Sequence, residues 1–133
     1  MKHVLNLRTV SGRYGVARLE AEADCPQWFN GPGFSSVIRA DDELTLICLE
    51  DRIPDGVEVE RDWVCLRTVG PFPFGAAGIV QSLIEPLSAN GIGVFVVCTF
   101  DGEHLLISAD DLDKAHFHLS NAGHNWVNHT VQK

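Results

Sequence analysis

Apolar and polar positions change period midway along this chain. In the first half the alternation is that of strands: Leu44, Leu46 and Cys48 alternate with Thr45, Ile47 and Leu49, which predicts a strand over residues 43–49. Residues 4–7, 13–19 and 35–39 carry similar extended signals, and Asp41-Asp42 supplies a tight hairpin turn between the two later strands. Helical content here is small. Pro26-Gln27-Trp28-Phe29 suggests one short turn, which the loop signal Asn30-Gly31-Pro32-Gly33 ends, and Ile53-Pro54-Asp55-Gly56 marks a second break.

The second half mixes both periods. Residues 63–69 read as a strand, and Gly70-Pro71-Phe72-Pro73-Phe74 connects it rigidly to a helix over residues 76–90. In that helix Ile79, Val80, Leu83, Ile84 and Leu87 recur at three- and four-residue spacing and draw one apolar face. Pro86 removes a backbone donor near its end, and Asn90-Gly91 stops it. The continuous apolar run over residues 92–100 predicts a strand at the centre of a sheet, and Asp101-Gly102 turns it into a strand over residues 104–108. Ser108 or Asp110 is then expected to cap a second helix with Leu112, Ala115, Leu119 and Ala122 inward, ended by Gly123, with Trp126 and Val127 in a last strand. The order is βαββαβ, an α+β unit of the ferredoxin-like kind with two helices on one face of an antiparallel sheet.

Composition narrows the function classes. The chain has 133 residues, 45% apolar content and a formal net charge of −8, enough for one domain or two small subdomains with a core. Its ten basic residues are scattered, so nucleic acid is not an expected partner. Met1-Lys2-His3-Val4 begins no apolar segment of signal-peptide length, and the longest apolar run is too short to span a bilayer. A cytoplasmic address without membrane partners follows as an expectation. Cys25, Cys48, Cys65 and Cys98 show no paired spacing, and three lie in apolar strand-like runs where thiols pack as small hydrophobes.

Three groups of residues, 36–45 (Ser36-Val37-Ile38-Arg39-Ala40-Asp41-Asp42-Glu43-Leu44-Thr45), Gly70-Pro71-Phe72 with Gly78-Ile79, and Cys98-Thr99-Phe100 followed by Leu105-Leu106-Ile107, resemble as a set the small tandem ACT-domain proteins of bacteria, relatives of the CASTOR arginine sensors. The resemblance implies two ferredoxin-like ACT subdomains, a divergent strand-rich one over residues 1–60 and a regular one over residues 61–133, assembled as a homodimer. It implies a regulatory protein that holds a small amino-acid-like ligand between paired ACT units. Carried onto this chain, the ligand positions are Gly78 and Ile79, then Ile92, Gly93 and Val94, then Glu103, which stands where the sensors carry Asp.

The residues themselves support such a site in outline. Gly75-Ala76-Ala77-Gly78 opens the first helix without an acidic neighbour, so its unpaired amides and partial positive charge suit a carboxylate, while Glu103 offers a partner for an ammonium group. The competing reading gives Gly75 and Gly78 to packing and makes Glu103 a solvated turn acid. An interaction module that docks a protein on its sheet edge, without a small ligand, is the alternative function.

No metal or cofactor is expected. His116, His118, His124 and His129 gather toward the C-terminus, yet His116 and His118 lie two apart on a helix and share no face. Catalysis is not expected either. Cys98 with His104 is an unpersuasive thiol and base because the strand should bury the thiol, and Asp110-Asp111 fits a helix start.

Overall fold

The computed structural model describes residues 3–70, 72 and 76–127. They group into two compact units, one from residues 3–11 and 64–127 and the other from residues 12–63. The first residues of the chain therefore pack with its second half. Strands β1 (Asn6–Leu19) and β4 (Glu58–Thr68) each have residues in both units.

In the unit of residues 12–63, β2 (Ser36–Arg39) and β3 (Leu44–Leu49) form the hairpin that Asp41-Asp42 predicts, closed by the Ala40 N–H donating to the Glu43 carbonyl at 2.9 Å. β3 pairs antiparallel with β1 from Tyr14↔Leu49 to Leu19↔Leu44. Leu44, Leu46 and Cys48 are buried with Ala17, Phe29 and Ile53, as the alternation requires. Arginines fasten the loops: Arg39 donates to the carbonyls of Ala21 and Ala23, Arg52 to those of Pro32 and Phe29, and Arg61 to those of Glu50 and Ile53.

The other unit contains the predicted βαββαβ succession as β4, α1 (Ile79–Ser88), β5 (Phe95–Cys98), β6 (Glu103–Ser108), α2 (Leu112–Asn121) and β7 (Asn125–Trp126). Its strands lie in the order β7-β1-β4-β6-β5. The last strand therefore pairs with the start of β1, in parallel, through Asn6↔Asn125 and Leu7↔Trp126. Leu5 and Leu7 join Val64, Leu66, Leu105 and Ile107 under Ile79, Leu83 and Leu87 of α1 and Ala115 and Leu119 of α2, so the N-terminal strand supplies part of this core. Burying each of these leucines contributes about 1.5–3 kcal/mol.

Three expectations change. The apolar run over residues 92–100 yields only the four residues of β5, and these stand at the end of the strand order instead of the centre. Residues 95–97 are half-buried, because an edge strand covered on one face can be as apolar as a central one. The turn after β5 has Phe100 and Asp101 at its tip, inside a bond from the Thr99 N–H to the Gly102 carbonyl at 2.7 Å, one residue earlier than predicted. Neither Ser108 nor Asp110 caps α2 with its side chain. A 3-10 turn over Ala109–Asp111 leads into the helix instead.

Pro86 lies inside α1 and cannot donate to the carbonyl of Ser82, four residues before it. His124, 5% exposed, fills that vacancy: its Nε2–H donates to the Ser82 carbonyl at 2.8 Å, while Nδ1 accepts the Leu5 N–H at 3.1 Å. A carbonyl can only accept and an amide N–H can only donate, so these two partners fix the Nε2–H tautomer. On the sheet face away from the helices, burial depresses the His104 pKa to about 4, with the positive charges of Arg67 and Arg8 adding to the effect.

Two outcomes follow for stability. His124→Ala strands two buried backbone groups and should cost about 2–4 kcal/mol in urea unfolding. In a Pro86→Ala background, where residue 86 again donates to Ser82, the loss should be smaller by about 1 kcal/mol; an equal loss in both backgrounds would remove the coupling. For His104 the folded pKa lies below the unfolded value near 6.5, so its contribution is complete above pH 6.5 and is lost as pH falls toward 4. Between pH 7 and pH 5 the wild type should lose about 2 kcal/mol more than His104→Phe, measured by urea unfolding at both pH values.

Candidate functional site

Helix α1 begins at Gly78, whose φ of +88° lies in the left-handed region that glycine occupies without steric penalty. No side chain caps this end, and its first turn contains no acidic residue. The amides of Ile79, Val80 and Gln81 precede the first intrahelical bond, in which the Ser82 N–H donates to the Gly78 carbonyl at 3.0 Å. The helix start is tied down by the N-terminus. His3 donates its backbone N–H to Ser82 Oγ at 2.9 Å and its Nε2–H to the Ala77 carbonyl at 2.7 Å, and Ser82 Oγ donates to the Gly78 carbonyl at 2.9 Å.

Beside this end of α1 lies a crevice of about 390 Å³, bounded by Phe72, Gly78, Ile79, Cys98, Gly102 and Glu103 among others. It brings together three of the positions singled out from the sequence: Gly78, Ile79 and Glu103. The other three do not line it. Ile92 is 2% exposed in the core, with its N–H bonded to the Leu87 carbonyl; Gly93 is exposed, with open space around its Cα; and Val94 is half-buried against the core. Gly75 lies outside the described residues.

Glu103 opens β6 opposite Cys98 and is held by Thr68, which the sequence reading passed over. The Glu103 N–H donates to Thr68 Oγ1 at 2.9 Å, and the hydroxyl donates to Glu103 Oε1 at 3.1 Å. Thr68 is 1% exposed, so the carboxylate is anchored at one oxygen by a buried group. Gly102 makes this possible, since a Cβ there would stand 2.5 Å from Thr68 Oγ1. The arrangement offers amide donors at one side of a crevice and an anchored carboxylate at another, the chemistry that a small zwitterion needs. Thr68 stands 35 residues before Glu103, a separation at which no local motif could have signalled the pair.

Cys98 was expected to be buried; it is exposed at the end of the edge strand. Partial desolvation raises its pKa, and the Glu103 charge raises it further, so the thiol stays protonated despite its exposure. Cys65, by contrast, is buried, and desolvation pushes its thiol up to about 12. Among the described residues no three His, Cys, Asp or Glu side chains converge as metal ligands, and His129 lies outside them. His116 stacks on Trp126 with ring centroids 4.0 Å apart. Asp111 lies 3.9 Å from Lys114. No helix among the described residues is long and apolar enough to cross a membrane.

A family model for the ACT domain matches residues 58–121, and a model described as an N-terminal domain matches residues 12–56. A search of curated proteins finds no match to the chain. The crystal structure of protein Atu0741 from Agobacterium tumefaciens is 48% identical and superposes with a TM-score of 0.91 over 98% of each chain. Aspartate kinase from Clostridium acetobutylicum, described as an allosteric enzyme, shares the fold at 15% identity and a TM-score of 0.67, over 92% of this chain and 36% of the kinase. The regulatory subunit of aspartate kinase from Thermus thermophilus does so at 12% identity and a TM-score of 0.52, over 90% of this chain and 95% of that subunit. The ACT match, together with this near-complete superposition, means that the chain is an ACT-domain protein of the same family as Atu0741.

Proposed function

We propose that this protein is a cytoplasmic regulatory module, without enzymatic activity of its own, that binds a small amino-acid-like ligand at the start of α1. The observation that carries this reading is the crevice in which the uncapped helix start at Gly78 and Ile79 shares one space with the anchored carboxylate of Glu103. Amide donors would receive the ligand's carboxylate, and Glu103 its ammonium group. The likeness to regulatory parts of aspartate kinases supports a ligand-responsive role, and in this reading two copies of the chain pair so that the second closes the crevice. Ligand would then favour the paired form by its differential affinity for it.

A second reading rests on the outer edge of β5, which no other strand pairs among the described residues. That strand ends the strand order, and Phe100, at the tip of the adjoining turn, is 80% exposed. Such an edge can dock a protein strand with no small ligand involved.

A thermal-shift series across the twenty amino acids separates the two. The sensor reading predicts a selective rise in melting temperature, worth about 2.7 kcal/mol at a ligand concentration a hundredfold above Kd, whereas the docking reading predicts no rise for any of them. Glu103→Ala should abolish the response while circular dichroism shows the fold retained. A response of unchanged size in that variant would rule Glu103 out as the amine partner.

A further inference from the structure

Of the seven arginines in the sequence, five are engaged. Arg13 pairs with Asp62 at 3.4 Å, Arg18 donates to the Asp42 carbonyl at 3.2 Å, and Arg39, Arg52 and Arg61 fasten loops. Arg8 and Arg67 have no hydrogen-bond or ion-pair partner among the described residues, and Arg67 Nε is buried without one. In a chain of net charge −8 it is unusual for the two unengaged guanidinium groups to be neighbours.

Register makes them so. The Val69 N–H donates to the Asn6 carbonyl at 2.8 Å, and Arg13 meets Asp62 further along the same two strands. Counted in from the Val69–Asn6 bond along the two neighbouring strands, Arg8 and Arg67 are each two residues on, which sets them side by side. Alternation places both on the sheet face away from the helices: Leu7, Leu66 and Thr68 face the other way. Two like charges directly opposite each other on adjacent strands are unfavourable when nothing neutralises them. Both arginines line a cavity of about 320 Å³ together with Thr68, Val69, Gly70 and Asp101. Burial above all, with the charges of these same two cations, keeps His104 neutral at pH 7, so it adds no further positive charge.

We propose that Arg8 and Arg67 form a binding site for a small oxyanion of the carboxylate or phosphate class, received by their two guanidinium groups at the cavity that both residues line. The planar fork of each guanidinium suits the oxygens of such a group, and an anion between two neighbouring cations relieves their repulsion. The exposed carboxylate of Asp101 at the same cavity opposes the ligand and limits its affinity. The site does not rest on the amino-acid reading, since neither arginine takes part in the crevice beside α1.

The test is calorimetric titration of the full chain with inorganic phosphate and, separately, with succinate, at fixed ionic strength set by sodium chloride. Saturable binding of either anion is expected, weakened at least about tenfold in Arg8→Gln and in Arg67→Gln, and strengthened in Asp101→Asn. Binding of phosphate alone assigns the tetrahedral class, and binding of succinate alone the carboxylate class. Failure of both anions to bind, or equal binding by wild type and both arginine variants, overturns the proposal. A second readout guards against a purely structural role. In dilute buffer without phosphate or succinate, Arg67→Gln should melt no lower than wild type, and added anion should raise only the wild type. A variant that melts lower under both conditions would make the arginines structural. Glu103→Ala should bind the anion as wild type does, which keeps this outcome separate from that of the helix-start crevice.

Discussion

The arrangement of the unit that contains α1 depends on a single imidazole. A proline within the helix leaves the Ser82 carbonyl without its usual donor, and His124 supplies one from the segment between α2 and β7 while accepting the Leu5 N–H at the start of the first strand. Three elements far apart in sequence are thereby held at one buried point. His3, just before it in space, holds the Ala77 and Ser82 ends of the helix start. The amides that would meet a ligand are therefore positioned by the N-terminal residues of the chain, and a flaw in that first strand would propagate to the candidate site without touching it.

Charge is used differently in the two units. Where residues 12–63 need loops held in place, guanidinium groups donate to main-chain carbonyls, and each cation is consumed by structure. The Arg8 and Arg67 side chains perform no such task, and Cys65 and His104 beside them are kept neutral by burial. A protein surface spends little to leave one arginine in water. Two of them on neighbouring strands at one cavity call for an anionic companion.

Elements with a strong local signature could be read directly. The Asp41-Asp42 hairpin and the buried face of Leu44, Leu46 and Cys48 in β3 follow from neighbouring residues and are found where their patterns put them, and of the apolar stripe of α1 Ile79, Leu83 and Leu87 enter the core while Val80 and Ile84 are half-buried. What failed depended on partners remote in sequence. An apolar run states that a strand is covered but not how many neighbours it has, so β5 was expected at the centre and lies at the edge. The pairing of β7 with β1 has no local signal at all, and with it went any sign of the His124 junction. The candidate site divides in the same way: Gly78, Ile79 and Glu103 converge, whereas Ile92, Gly93 and Val94 lie outside the crevice. Thr68, which anchors Glu103, and the facing arginines become visible only once strand register is known.

The pairing of the first strand with the last bears on how the chain matures on a ribosome. Leu5 and His124, 119 residues apart, must meet before that helical carbonyl is satisfied and the N-terminal leucines are covered. Until residues 124–126 have emerged, the segment around Leu5 and Leu7 has no finished place to go and exposes apolar side chains to whatever else is nearby. Contacts closed over so long a stretch form slowly. Nascent chains stalled a few residues short of Asn125 would thus carry an incomplete core, and the demand for chaperone protection would last until β7 is available to pair with β1.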